Sequence, residues 1–86
     1  MAFDLERAYA LHPQVALRRE PFGALAYHFG TRRLSFLKSR TLLAVVESLS
    51  SAPSARAACE AAGVSADELP RYATALATLA DTGMIE

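Results

Sequence analysis

The sequence predicts an α+β domain in which a three-stranded antiparallel meander is followed by three helices, β-β-β-α-α-α, with the helices covering one sheet face. Three observations predict it. Residues 15–37 fall into short runs of alternating apolar character, tight-turn residues separate those runs, and from Ser39 the apolar period becomes helical.

The strands come first. Val15 to Arg19 sets Val15 and Leu17 on one face, Ala24 to Phe29 sets Leu25, Tyr27 and Phe29 on one face, and Arg33 to Leu37 sets Leu34 and Phe36 on one face. These are taken as the core-facing residues. The opposite face, with Ala16, Arg18, Ala24, Ala26, His28, Arg33 and Ser35, reads as exposed and, through its alanines, as open to a partner. Pro21 suits the first central position of a type I turn closed by Gly23, and Gly30-Thr31 offers the Gly-first pair of a II′ hairpin. Both connections force antiparallel neighbours.

The helices follow at about 39–51, 53–62 and 66–82. Leu42, Leu43, Val46 and Leu49 mark the first, Pro53 opens the second, and Gly63 ends it as a left-handed cap. Ser65-Ala66-Asp67-Glu68 has capping-box spacing for the third, with Pro70 marking an alternative start. Leu69, Tyr72, Ala73, Leu76, Leu79 and Ala80 follow at helical intervals, and Gly83-Met84-Ile85 returns apolar to the core, as at the end of a winged helix-turn-helix. Residues 3–11 read as a helical turn capped by Asp4 that buries Leu5, Ala8 and Tyr9.

Composition narrows the function. Eighty-six residues with nine basic and nine acidic side chains make one core, which favours a binding module over an enzyme with a closed cleft. No apolar run reaches membrane-spanning length, and the start Met1-Ala2-Phe3-Asp4-Leu5-Glu6 lacks a basic region and a cleavage-type apolar run, so the expected location is cytoplasmic. His12, His28 and Cys59 have no metal-ligand spacing, and Cys59 has no activating base, so neither a metal nor a catalytic residue is expected. Zero net charge and a last helix with Arg71 as its one cation argue against nucleic acid, although a winged-helix nucleic-acid-binding module stays the alternative.

Basic residues instead gather around the hairpin and the following turn: Arg18, Arg19, Arg32, Arg33, Lys38 and Arg40. They read either as solvated gatekeepers of an edge strand or as a site for an acidic extended peptide. The strand Arg33-Leu34-Ser35-Phe36-Leu37 borders one sheet edge, whose free N–H and C=O groups can receive an added strand.

The stretch Leu11-His12-Pro13-Gln14-Val15-Ala16-Leu17-Arg18, with Glu20-Pro21-Phe22-Gly23-Ala24-Leu25-Ala26-Tyr27-His28-Phe29-Gly30-Thr31-Arg32 and Leu34-Ser35-Phe36-Leu37-Lys38, resembles the peptide chaperones of mycofactocin biosynthesis, the MftB family. The helical half agrees in pattern, including Ala61-Ala62-Gly63-Val64. That family is similar to the pyrroloquinoline quinone precursor chaperone (PqqD-like) and to other recognition elements of ribosomally made, modified peptides. The resemblance implies a non-catalytic, winged-helix-like domain without a cofactor. It implies a leader peptide held as an added strand between the third strand and the third helix, here Arg32, Arg33, Leu34, Ser35, Phe36 and Leu37 facing Arg71, Tyr72, Ala75 and Leu76. The implied partners are a mycofactocin precursor peptide with an acidic leader and a C-terminal Val-Tyr pair, and a radical S-adenosylmethionine (radical SAM) maturase with iron-sulfur clusters.

Overall fold

A computed structural model describes residues 3–86; Met1 and Ala2, part of the N-terminal run considered above, lie outside the described residues. Strands β1 (Val15–Glu20), β2 (Gly23–His28) and β3 (Arg33–Leu37) form one antiparallel sheet in the order β1-β2-β3. Helices α1 (Arg40–Ser48), α2 (Ala55–Ala61) and α3 (Leu69–Asp81) follow, with a 3₁₀ turn over Leu49–Ser51. The β-β-β-α-α-α order of an α+β fold is the one the sequence predicts.

Pro21 and Phe22 form the two-residue connection between β1 and β2, with Glu20 paired to Gly23. Gly23 has φ 149°, and a Cβ there would run into the carbonyl oxygen of Leu37 and lie 2.9 Å from the Ser39 nitrogen. The chain leaving β3 therefore crosses directly over Gly23, and only a hydrogen leaves room for it. The second hairpin differs from the II′ expectation. Its loop has four residues, Phe29 to Arg32, and the left-handed position is Arg32 (φ 61°) rather than Gly30. The reason is His28, whose Nδ1 accepts from the N–H groups of Gly30 and Thr31 at 3.0 and 3.1 Å and draws the loop around the ring.

The sheet faces are also the reverse of the expectation for β2 and β3. The register aligns Leu17, Ala26 and Ser35 in one row and Arg19, Ala24 and Leu37 in another, and these rows face the helices. Ala24, Ala26, His28 and Leu37 are buried, whereas Leu34, Phe36 and Phe29 are exposed. Alanines on β2 allow α1, which packs on that strand, to approach closely, so small residues rather than large ones occupy the interface. His28 is buried because its ring acceptor is satisfied within its own loop.

Ser39 caps α1, its Oγ accepting from the Leu42 N–H at 3.1 Å. Helix α2 starts at Ala55, not Pro53, because Ser54 is its cap and accepts from the Ala57 N–H. Gly63 (φ 86°) ends it, with the Val64 N–H returning to the Cys59 carbonyl at 3.0 Å. Helix α3 begins at Leu69 rather than 66, since Pro70 lacks the N–H that a helix running through it would need. Residues 3–11 make one turn at Asp4 and then run extended, with Ala8 exposed. The free N–H groups of α2 are the cause: Ala55 and Arg56 donate to the carbonyls of Arg7 and Leu5 at 2.9 and 2.8 Å, which holds the segment flat against the helix start. Ala10 and Glu86 exchange two backbone hydrogen bonds, and Met84 and Ile85 enter the core after Gly83.

Candidate functional site

Strand β3 ends the sheet, so one of its edges carries backbone groups that no neighbouring strand uses. Where the chain turns from β3 into α1, a cleft of about 350 Å³ opens towards α3, lined by Lys38, Ser39 and Leu42 on one side and Arg71, Tyr72 and Ala75 on the other. Gly23 positions the first wall by letting the β3–α1 junction lie against β2. On the second wall Tyr72 is buried, and the Arg71 guanidinium sits 5.7 Å from its ring centroid while bonded to Glu68 at 3.0 Å. The cleft has an apolar floor and a cationic rim. Among the described residues Arg32, Arg33 and Lys38 make no ion pair, so three cations near β3 keep their charge unmatched.

The ten residues expected from the sequence are not all equivalent. Arg71, Tyr72 and Ala75 line the cleft. Arg32 and Arg33 are exposed at the hairpin, Leu34 and Phe36 point outward from the sheet, and Ser35 lies half-buried on the helix side. Leu37 and Leu76 are core residues, 1% and 0% exposed, and reach no surface ligand directly. Sequence reasoning missed Lys38, Ser39 and Leu42 in the cleft wall. Leu42 carries a helix-period signal that assigns it to the core, and only the placement of α3 opens its outer side.

Two larger cavities have different chemistry. One of about 550 Å³ lies between the N-terminal segment, the end of α3 and the C-terminus, and its charged lining is mixed: Arg7, Asp81 and Glu86. Another of about 450 Å³ lies beside the first hairpin, where Arg19 is held by both carboxylate oxygens of Glu47 at 2.9 and 2.7 Å. Neither is lined by β3.

The reactive side chains are engaged structurally. The rings of His12 and His28 pack at a 40° tilt with centroids 4.4 Å apart, and the Nδ1 of each accepts a backbone N–H. Among the described residues no three His, Cys, Asp or Glu side chains group to hold a metal ion. On α3 the hydroxyls of Thr74 and Thr78 donate back to the carbonyls of Pro70 and Thr74, which leaves few donors for reading base edges. Among the described residues no helix is long and apolar enough to cross a membrane.

Cys59 is fully buried, and burial pushes its thiol pKa up; Arg56 opposes the rise and Glu60 adds to it. A thiol whose folded value is raised stabilises the fold below its unfolded pKa, about 8.5, and that contribution is lost as pH climbs through the folded value. We expect the alkaline loss of stability to be shallower in Cys59→Ala than in the parent chain, although the variant is less stable overall. Denaturant melts between pH 7 and 10 check this, and parallel slopes for the two chains would contradict it.

Comparison with known proteins agrees with the resemblance read from the sequence. The model of the peptide chaperone MftB family matches residues 8–86. The chain is 60% identical over 84 residues to a protein from Mycobacterium ulcerans (strain Agy99) named peptide chaperone MftB, covering 98% of this chain and 77% of that one. It is 57% identical to the peptide chaperone MftB of Mycobacterium tuberculosis (strain ATCC 25618 / H37Rv), covering 96% and 76%, and 53% identical to that of Mycolicibacterium smegmatis (strain ATCC 700084 / mc(2)155), covering 99% and 83%. No solved structure matches. With a match running from before the sheet to the last residue, this chain belongs to the peptide chaperone MftB family.

Proposed function

We propose that this chain is a non-catalytic peptide chaperone of mycofactocin biosynthesis, acting in the cytoplasm. It binds the acidic leader of the ribosomally made precursor as a fourth strand on β3 and presents the C-terminal Val-Tyr pair to a radical SAM maturase with iron-sulfur clusters. The observation that carries this reading is the cleft beside the free edge of β3, with its apolar floor and the unpaired cations Arg32, Arg33 and Lys38 nearby. An added strand takes main-chain hydrogen bonds from the edge, and its side chains alternate. One set enters the cleft against Leu42, Tyr72 and Ala75; the other lies on the outer face beside Leu34 and Phe36. Acidic leader residues gain from the cationic rim chiefly in encounter rate and register. Presentation works by effective concentration, because a leader and an enzyme held on one small domain meet as neighbours.

Amide-shift mapping with a synthetic leader peptide tests the binding mode. Shifts are expected in Arg33 to Leu37, in Lys38 to Leu42 and in α3 around Arg71 to Ala75. Shifts confined to α2 and the N-terminal segment would overturn strand addition. Mass spectrometry of the precursor with each component omitted in turn tests presentation: modification needs both the chaperone and the maturase, and full modification without the chaperone would remove its role.

A further inference from the structure

The sheet has two free edges, and their backbones are equivalent. The Phe29 N–H donates to the Gln14 carbonyl at 2.8 Å, so the alternation of an antiparallel ladder makes Ala16–Tyr27, Arg18–Leu25 and Glu20–Gly23 the bonding pairs of β1 with β2. The even-numbered residues of β2 are then left for β3, where they bond Arg33, Ser35 and Leu37. Two residues on each outer strand therefore turn free N–H and C=O groups away from the sheet, Leu17 and Arg19 on β1 and Leu34 and Phe36 on β3. Val15, the third of the outward set on β1, has its N–H bonded to the His12 carbonyl at 2.9 Å. Shape does not separate the edges either. The cavity of about 450 Å³ at the end of β1 has Leu43 and Ala44 in its lining and is larger than the cleft of about 350 Å³ beside β3.

Charge does separate them. On β1 the Arg18 Nε lies 2.7 Å from a Glu20 oxygen on the outer face, and Arg19 reaches both oxygens of Glu47 on the helix face at 2.9 and 2.7 Å. Arg40 comes to the same end, its Nε donating to the Pro21 carbonyl at 3.3 Å. Three cations against two carboxylates leave the β1 edge with one net positive charge. At β3, Arg32, Arg33 and Lys38 have no carboxylate within the run 32–38 and no ion pair among the described residues, which leaves all three charges. An added strand alternates its side chains between the two faces. On β1, either face would bring an acidic residue up to a guanidinium that a glutamate already holds, so like charge would meet like. We propose that Glu20 and Glu47 are specificity-determining residues: by pairing Arg18 and Arg19 they close the β1 edge to acidic strands and leave β3 as the edge that such a strand takes. This rests on the chaperone function proposed above, and supplies the reason why a sheet with two equivalent backbone edges has one peptide site.

The test is calorimetric titration of a synthetic leader peptide into the parent chain and into the double variant Glu20→Gln, Glu47→Gln, with peptide-induced amide shifts recorded for both. The variant carries three cations and no carboxylate at either edge. Both ion pairs lie at the surface and Gln keeps the shape of Glu, so the fold is expected to stand, and retained binding at β3 reports it. The parent is expected to take one peptide per chain, with Leu17 and Arg19 unmoved. The variant is expected to take two at low salt, with peptide-induced shifts at Leu17 and Arg19 and a second affinity within about tenfold of the first. Added salt should weaken that second site about tenfold. One peptide per chain in both proteins, with Leu17 and Arg19 unmoved in the variant, would overturn the role of the two glutamates while strand addition at β3 stands. Two peptides on the parent would overturn it as well. A parent chain without leader-induced shifts on β3 would instead bring down the binding mode proposed above, and this inference with it.

Discussion

Gly23→Ala is expected to remove about half of the stability of the domain, because the new methyl group meets backbone and not a side chain that can move aside. At Gly23 a Cβ would collide with the Leu37 carbonyl oxygen and approach the Ser39 nitrogen and oxygen at 2.9 and 3.0 Å, and φ 149° is a conformation that an L residue rarely adopts. Backbone strain of about 1–3 kcal/mol adds to overpacking of similar size. A chain of this length has roughly 4–13 kcal/mol in total, so the midpoint in urea should fall steeply. The same substitution at Gly63, where a Cβ meets nothing within 4 Å, keeps the positive-φ penalty without the collision and should cost about 1 kcal/mol. Equal losses at the two positions would show that the crossing of β3 over β2 does not depend on the missing side chain. Whatever fraction of the Gly23→Ala chain folds should also bind leader peptide poorly, since the Cβ displaces the chain at Leu37 and Ser39 that forms the cleft wall.

Arg32→Glu with Arg33→Glu is expected to weaken leader binding by about tenfold to a hundredfold while leaving the fold intact. Both side chains are exposed and without an ion partner among the described residues, so their reversal removes no native contact. Arg32 has φ 61°, and Glu meets the same left-handed penalty there, so the backbone cost cancels in the comparison. Leader titrations at low and high salt check the prediction. Loss of affinity should be largest at low salt and shrink as added salt shortens the screening length, because the contribution is mainly long-range attraction. Parent-like affinity of a folded double variant at low salt would remove the electrostatic part of the binding site.

The sequence by itself determined the order of the elements and most of their ends, since those depend on local chemistry. Pro21 and Gly23 set the first hairpin, Gly63 and Val64 close α2, and Pro70 marks the first turn of α3. Gly83 turns Met84 and Ile85 into the core. The tertiary structure alone decided which way the sheet faces. Alternation with period two tells which residues share a face and not which face is covered, and reading size as burial sent Leu25, Tyr27, Leu34 and Phe36 inward. Close packing of α1 on β2 instead selects Ala24 and Ala26, and His28 can be buried because its loop satisfies it. The tertiary arrangement left the aromatic face open to solvent, and it placed α3 across from the β3–α1 junction so that Lys38, Ser39 and Leu42, adjacent in sequence to the expected strand, became a wall opposite Arg71, Tyr72 and Ala75. Contacts between segments about thirty residues apart have no local signature, because they arise from how helices settle on a sheet.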